Sequence, residues 1–149
     1  MKTRESVENY LETILILGAG GRPIRAVDIA NELDYAKPSV SVALKKLRSG
    51  GYIDADDGGH IVLTESGRRI AESMYERHTL ISDWLIFLGV DKQTAVNDAC
   101  RMEHVMSERS FAALKKHVEG WKHDVYRHRK EQSNGNGKTP SRPILPRRG

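Results

Sequence analysis

The chain has 149 residues, 38% hydrophobic and 30% charged, enough for one modest core or for a small domain with a second packed unit. No run approaches the roughly 20 apolar residues that cross a bilayer. The N-terminus mixes both signs of charge without an apolar stretch, which argues against a secretory signal and predicts a cytoplasmic protein with no membrane partner. The single cysteine excludes a disulfide framework and a zinc site made of cysteines alone, and a net charge of +4 permits a nucleic-acid partner without requiring one.

A first helix is predicted from residue 5 to about residue 17, with Val7, Leu11, Ile14 and Leu15 as its apolar stripe and Ser6 as its cap. Gly18 to Pro23 end it. Residues 25–33 form a short second helix with Ile29, Ala30 and Leu33 inward, and Asp34-Tyr35-Ala36 is a tight turn. A third helix opens at Lys37 with Pro38 in its first turn, where a missing N–H costs nothing, and stops at Gly50-Gly51. Two short strands, 52–54 and 60–63, follow, joined by the Asp- and Gly-rich Ala55-Asp56-Asp57-Gly58-Gly59.

Thr64 then caps a long helix bearing Ile70, Met74, Leu80, Ile81, Trp84 and Leu88, and Gly89-Val90-Asp91 breaks it. Another helix runs from Lys92 to about His104, with Asp91 as its candidate cap. Ser107 caps a last one, with Phe111, Leu114, Val118 and Trp121 inward. From Gln132 onward the Ser, Asn, Gly, Pro and Arg content cannot bury a core, so residues 132–149 are expected to be a disordered basic tail.

Three helices followed by a β-hairpin is the order of a winged helix-turn-helix, whose recognition helix inserts its N-terminal residues into the major groove of double-stranded DNA. Here that helix begins Lys37-Pro38-Ser39-Val40-Ser41-Val42. Ser39 and Ser41 allow close approach and hydrogen bonds to phosphates or base edges, Val42 can meet a thymine methyl, and Lys45 and Lys46 supply phosphate charge. Arg25 can hold a phosphate near the preceding helix, and His60 in the hairpin can also meet DNA. Singly, these lysines would be an ordinary solvated face; the ordered set of elements turns the reading toward DNA. Helix-turn-helix proteins pair to read half-sites, and Ile81, Trp84, Leu85 and Leu88 crowd the region after Thr64, so a homodimer is expected. The fold class is thus mainly α: an N-terminal winged helix-turn-helix over residues 1–70, then an all-helical metal-binding and dimerisation domain over 71–131.

The metal expectation comes from Cys100-Arg101-Met102-Glu103-His104, which sets a thiol, a carboxylate and an imidazole at i, i+3 and i+4 on one helix face. Far upstream, Asn9 and Glu12 repeat the i, i+3 spacing, and His78 lies between the two sets. Each residue alone has a bland reading: Cys100 as a small buried hydrophobe, His78 as a satisfied histidine, Asn9 and Glu12 as solvated helix positions. Together they form a candidate ligand set, because an unpaired Glu on a buried face is costly. A metal held by all of them would tie the DNA-binding part of the chain to the rest.

Ala99-Cys100-Arg101-Met102-Glu103-His104-Val105-Met106-Ser107 resembles the metal-binding signature of the diphtheria toxin repressor family of iron- and manganese-dependent transcriptional repressors. The resemblance extends to Glu8-Asn9-Tyr10-Leu11-Glu12-Thr13-Ile14, Lys37-Pro38-Ser39-Val40-Ser41, Leu63-Thr64 with Gly67, Arg77-His78 and Leu88-Gly89-Val90-Asp91, spanning about residues 5–121. It implies a homodimer with a winged-helix domain and a helical dimerisation domain. It also implies Glu12, His78, Glu103 and His104 as ligands in the manner of the manganese regulators, with Cys100 as in the iron branch. Asn9 stands where the manganese branch has Asp and the iron branch Met. Ser82 and Val96 occupy the iron branch's second-site positions and cannot replace its ligands there.

Carboxylates and an amide oxygen suit a hard ion, whereas a thiolate favours a softer one such as iron, cobalt or zinc. Six candidate ligands suit octahedral coordination better than tetrahedral zinc, so Mn(II) or Fe(II) is the expected cofactor, ahead of Co or Zn. The expected function is a metal-activated repressor of metal-ion homeostasis genes, acting on a DNA operator and on no small organic substrate. Two other readings compete: a metal-independent winged-helix regulator, and a small metalloenzyme, since His and Glu on one helix also occur in catalytic sites.

Overall fold

The computed structural model describes the backbone of residues 2–133 and the side chains of residues 4–121. It divides into two compact units, Met1–Ser107 and Glu108–Gly149. In the first, helices α1 (Lys2–Leu17), α2 (Ala26–Leu33) and α3 (Lys37–Ser49) precede an antiparallel hairpin of β1 (Ile53–Ala55) and β2 (Ile61–Leu63), followed by α4 (Glu65–Phe87) and α5 (Lys92–Val105). This is the order expected of a winged helix-turn-helix running into a helical segment. No helix among the described residues is long and apolar enough to cross a membrane.

The core of this unit gathers one face from every early element: Tyr10, Leu11 and Ile14 of α1, Ile29 and Ala30 of α2, Val40, Leu44 and Leu47 of α3, Ile53 and Ile61 of the hairpin, and Ala71 of α4. Leu11, Ile14, Ile29 and Val40 are almost wholly removed from water. Burying side chains of this size contributes about 1.5–3 kcal/mol each, more than any surface ion pair in the unit. Beyond this core, α4 packs against both α1 and α5.

Local chemistry fixes the joints. Asp34 ends α2 in the left-handed region at φ 54°, and the N–H of Tyr35 reaches back to the Ala30 carbonyl at 3.0 Å. Asp tolerates this conformation better than most residues. Thr64 caps α4: its Oγ1 accepts from the Gly67 N–H at 3.2 Å and donates to the Gly51 carbonyl at 2.6 Å, tying the start of α4 to the end of the α3 turn. Asp91 caps α5 by accepting from the Thr94 N–H at 3.0 Å. The hairpin pairs Ile53 with Leu63, Asp54 with Val62 and Ala55 with Ile61, and Ile61 N–H also bonds the Ile24 carbonyl at 2.9 Å, anchoring the wing to the loop before α2.

Several boundaries differ from the sequence reading. α1 begins at Lys2, so Ser6 lies within the helix and does not cap it. The strands start one residue later than expected, for a hydrogen-bonding reason. The N–H of Tyr52 closes the end of α3 on the Leu47 carbonyl, and that of His60 is taken by Asp56 Oδ1. Leu80 and Ile81 are buried, whereas Ile86 and Leu88 at the end of α4 are exposed.

The second unit contains α6 (Glu108–Ser133), on which Phe111, Leu114, Val118 and Trp121 recur at helical spacing along one face. α6 includes Gln132 and Ser133, the first two residues of the expected tail. The remainder of that tail, 134–149, lies outside the described residues.

Candidate metal centre and nucleic-acid interface

Three helices converge at one end of the first unit. α1 contributes Glu8, Asn9 and Glu12, α4 contributes His78, and α5 contributes Cys100, Glu103 and His104. The ligand atoms of Cys100, Glu103 and His104 lie within 4.8 Å of one another, and so do those of Glu12, His78 and Glu103. Glu103 is common to both groups. Its Oε2 is 3.3 Å from His78 Nδ1 and its Oε1 is 3.3 Å from His104 Nε2. Asn9 reaches the same imidazole, with Oδ1 3.2 Å from Nε2. All six residues expected from the sequence are therefore brought together.

Glu103 is fully buried, and neither carboxylate oxygen has a hydrogen-bond partner among the described residues; nor has the buried Nδ1 of His78. A buried carboxylate left in this state is expensive unless a cation compensates it. The donors here, carboxylate oxygens, imidazole nitrogens, an amide oxygen and a thiol, are those that bind first-row divalent metals. The residues present fit such an ion.

The electrostatics point the same way. Burial and the neighbouring Glu103 carboxylate push Glu12 up to about 8, because two carboxylates cannot both ionise cheaply in one dry site. Glu103 beside His78 raises the imidazole above its ordinary value, against the opposing effect of burial. Burial, then Glu103 and Glu12, raises the Cys100 thiol. The cluster thus holds protons that a metal must displace.

A pH dependence follows from the sign of these shifts. Glu12 titrates near 4.5 when unfolded and near 8 when folded, so it contributes stability that is full below about pH 4.5 and lost as pH rises through 8. His78, also raised, acts in the same direction above its unfolded value of 6.5. Chelated protein is expected to lose stability from pH 5 to pH 8, while metal affinity climbs over the same window. Urea midpoints measured across that range with and without Mn(II) check this, and a chelated midpoint that rises with pH contradicts it.

Two residues of the site were not singled out from the sequence. Glu8 is buried, and its Oε2 lies 2.9 Å from His104 Nδ1. Its spacing of one helical turn before Glu12 was the available signal. Arg77, also buried, donates from Nη1 to the carbonyls of Glu103 at 3.0 Å and Met106 at 2.6 Å. It thereby closes the C-terminal end of α5 and steadies the backbone that carries Glu103 and His104.

In the helix-turn-helix, α3 buries Val40, Leu44 and Leu47 and exposes Lys37, Pro38, Ser39, Ser41, Val42, Lys45 and Lys46. Val42 is 56% exposed, an apolar side chain left without cover in the middle of a polar, basic face. Arg25 is exposed immediately before α2, its N–H held by Asp28 Oδ2 at 2.8 Å. His60 differs from its neighbours: it is half-buried, with Nδ1 3.3 Å from Asp56 Oδ1, so the wing itself engages this ring.

Residues 2–61 match the family profile "Iron dependent repressor, N-terminal DNA binding domain", and residues 64–132 match "Iron dependent repressor, metal binding and dimerisation domain". An HTH-type transcriptional regulator of Methanocaldococcus jannaschii is 35% identical over 123 residues, 81% of this chain and 98% of its own length. The transcriptional regulator MntR of Salmonella typhimurium is 36% identical over 113 residues, 74% of this chain and 71% of its own. A manganese-dependent transcriptional repressor solved in complex with manganese superposes with a TM-score of 0.69 at 26% identity, over 76% of this chain and 52% of its own. The chain therefore spans about half the length of that solved repressor.

Proposed function

Because this chain belongs to the iron-dependent repressor family, with a DNA-binding domain followed by a metal-binding and dimerisation domain, we propose that it represses metal-ion homeostasis genes in the cytoplasm when Mn(II) or Fe(II) is bound. The observation that carries this reading is Glu103, a fully buried carboxylate at the meeting point of α1, α4 and α5, with its oxygens 3.3 Å from His78 and His104 and held by neither in hydrogen-bond geometry. Asn9, Glu12, His78, Cys100, Glu103 and His104 are the proposed ligands. Glu103 sits in both ligand groups and serves one ion or two adjacent ones. A bound divalent cation supplies the positive charge that these carboxylates lack.

On this reading residues 1–70 read DNA and residues 71–131 bind metal and pair the subunits. Two copies meet through apolar surface that includes Ile86 and Leu88. Lys37, Pro38, Ser39, Ser41 and Val42 enter the major groove, with Arg25, Lys45 and Lys46 on phosphates and His60 at the wing. Because Glu12 belongs to the reading head and Glu103 and His104 do not, closing the ligand set fixes α1 and sets the spacing of the two recognition helices. Couplings of this kind are typically about 1–3 kcal/mol, and DNA must tighten metal binding by the same factor.

The test is binding to a promoter fragment in chelator and then in each divalent metal. Affinity that rises with Mn(II) or Fe(II) supports the proposal. Affinity independent of metal indicates a regulator whose metal site is structural, and substrate turnover without DNA binding indicates a metalloenzyme. Cys100→Glu should shift the metal ranking toward Mn(II) and away from softer ions, because it exchanges a thiolate for a carboxylate. Competition titrations giving one ranking for both proteins would remove Cys100 from the ligand set.

A further inference from the structure

The wing is tied to its surroundings at the root and to itself at the tip. At the root, the N–H of Tyr52 bonds the Leu47 carbonyl at 3.0 Å, that of Thr64 the Tyr52 carbonyl at 3.1 Å, and that of Ile61 the Ile24 carbonyl at 2.9 Å. At the tip, one side chain gathers the backbone. Asp56 Oδ1 accepts from the N–H groups of Gly58 and His60, each at 2.9 Å, and lies 3.3 Å from His60 Nδ1. The Asp56 backbone closes the same turn: its N–H bonds the His60 carbonyl at 3.0 Å, and its carbonyl accepts from Gly59 at 2.9 Å. The imidazole lies over Gly58, where an added Cβ would come within 2.8 Å of the ring.

Charge alone gives no reason for a carboxylate at this place. Between Arg48 and Arg68 the chain has no lysine or arginine, and its acidic residues there are Asp54, Asp56, Asp57 and Glu65. Residues 54–59 are all exposed. A carboxylate on an element that meets DNA repels phosphate and lowers affinity. What Asp56 contributes is order. It gives charge-assisted bonds to two backbone N–H groups in a loop with adjacent glycines, Gly58 and Gly59, which by themselves allow many shapes.

Resting on the reading above that the wing meets double-stranded DNA, we propose that Asp56 is a positioning residue: it holds the wing tip in one closed turn, with His60 against Gly58, so that the tip is already shaped for the DNA backbone. A tip that had to be ordered on binding would weaken the apparent affinity by the fraction of time it is already closed.

Asp56→Ala and Asp56→Asn separate shape from charge. Both remove the charge, and only Asn keeps an oxygen for the Gly58 and His60 N–H groups. With the full chain saturated by Mn(II), Asp56→Ala should bind a promoter fragment about 3–30-fold more weakly than the parent, and Asp56→Asn at least as tightly as the parent. Mn(II) affinity measured without DNA should be the same in all three. Amide exchange at Gly58 and His60 should quicken in Asp56→Ala and stay parent-like in Asp56→Asn. Tighter binding by both variants shows that charge outweighs shape and overturns the proposal. So do equal losses in both, which would assign the effect to the charge, and parent-like binding by both. Free-loop exchange rates at Gly58 and His60 in the parent overturn it without any variant, so it stays decidable even if Asp56→Ala fails to fold. A parent that binds no promoter DNA refutes the proposed function itself, and this role falls with it.

Discussion

Glu103→Gln is expected to abolish the metal response of DNA binding while leaving the chelated protein at least as stable as the parent. Gln has nearly the shape of Glu, so the site stays filled and no cavity term arises. What disappears is a carboxylate that is fully buried and has neither oxygen hydrogen-bonded among the described residues. Its charge also raises Glu12, so the neutral side chain relieves that strain. Loss of a ligand common to both groups should weaken Mn(II) by more than about 100-fold, on the order of 3 kcal/mol. Thermal melts of the two chelated proteins, with Mn(II) titrations read by promoter binding, measure both halves. A variant that melts several degrees below the parent, or that still answers to Mn(II) like the parent, defeats the assignment.

Gly67→Ala should cost about 2 kcal/mol or more of stability, a loss large enough to unfold a marginal domain. A Cβ at position 67 would overlap the carbonyl of Tyr52, which is backbone and cannot swing aside. That carbonyl is already committed to the Thr64 N–H at 3.1 Å, while Tyr52 N–H holds the Leu47 carbonyl at 3.0 Å. Relieving the overlap therefore means moving the root of the wing away from the first turn of α4. Gly120→Ala is the control: its Cβ would enter open space on α6, where Ala is favoured over Gly by about 1 kcal/mol. Equal urea midpoints for Gly67→Ala and parent would show that the wing root yields more easily than its hydrogen bonds indicate.

Much of this architecture was legible because local chemistry set it. Thr64 and Asp91 each read as a cap from type and position, and each caps as expected. Pro38 marked the first turn of α3, and the Asp and Gly run at 55–59 marked the hairpin. That Cys100, Glu103 and His104 share one side of α5 followed from spacing alone, since a helix fixes which residues do so. Glu8 was passed over because a helical carboxylate is solvated by default, and only a contact with His104, 96 positions away, makes it a buried partner. Arg77 is a similar case: a cation near the middle of α4 reads as surface until the end of α5 folds over it. Strand edges were misread by one residue because side-chain and turn acceptors claimed the N–H groups of Tyr52 and His60.

α1 has two occupied faces. Tyr10, Leu11 and Ile14 sit in the core shared with α2, α3 and the wing, while Glu8, Asn9 and Glu12 look the other way, toward His78 and α5. Each residue advances a helix by about 100°, so the angle between those faces is written in the count of residues and not in their identity. A single insertion between Glu12 and Ile14 would keep every side chain and every local propensity. It would nonetheless turn Glu8, Asn9 and Glu12, and Tyr10 and Leu11 with them, out of line with Ile14 by more than a quarter of a revolution, so the two halves of the helix could not both keep their partners. Drift in this family should therefore spare the length of this helix even where it rewrites its letters.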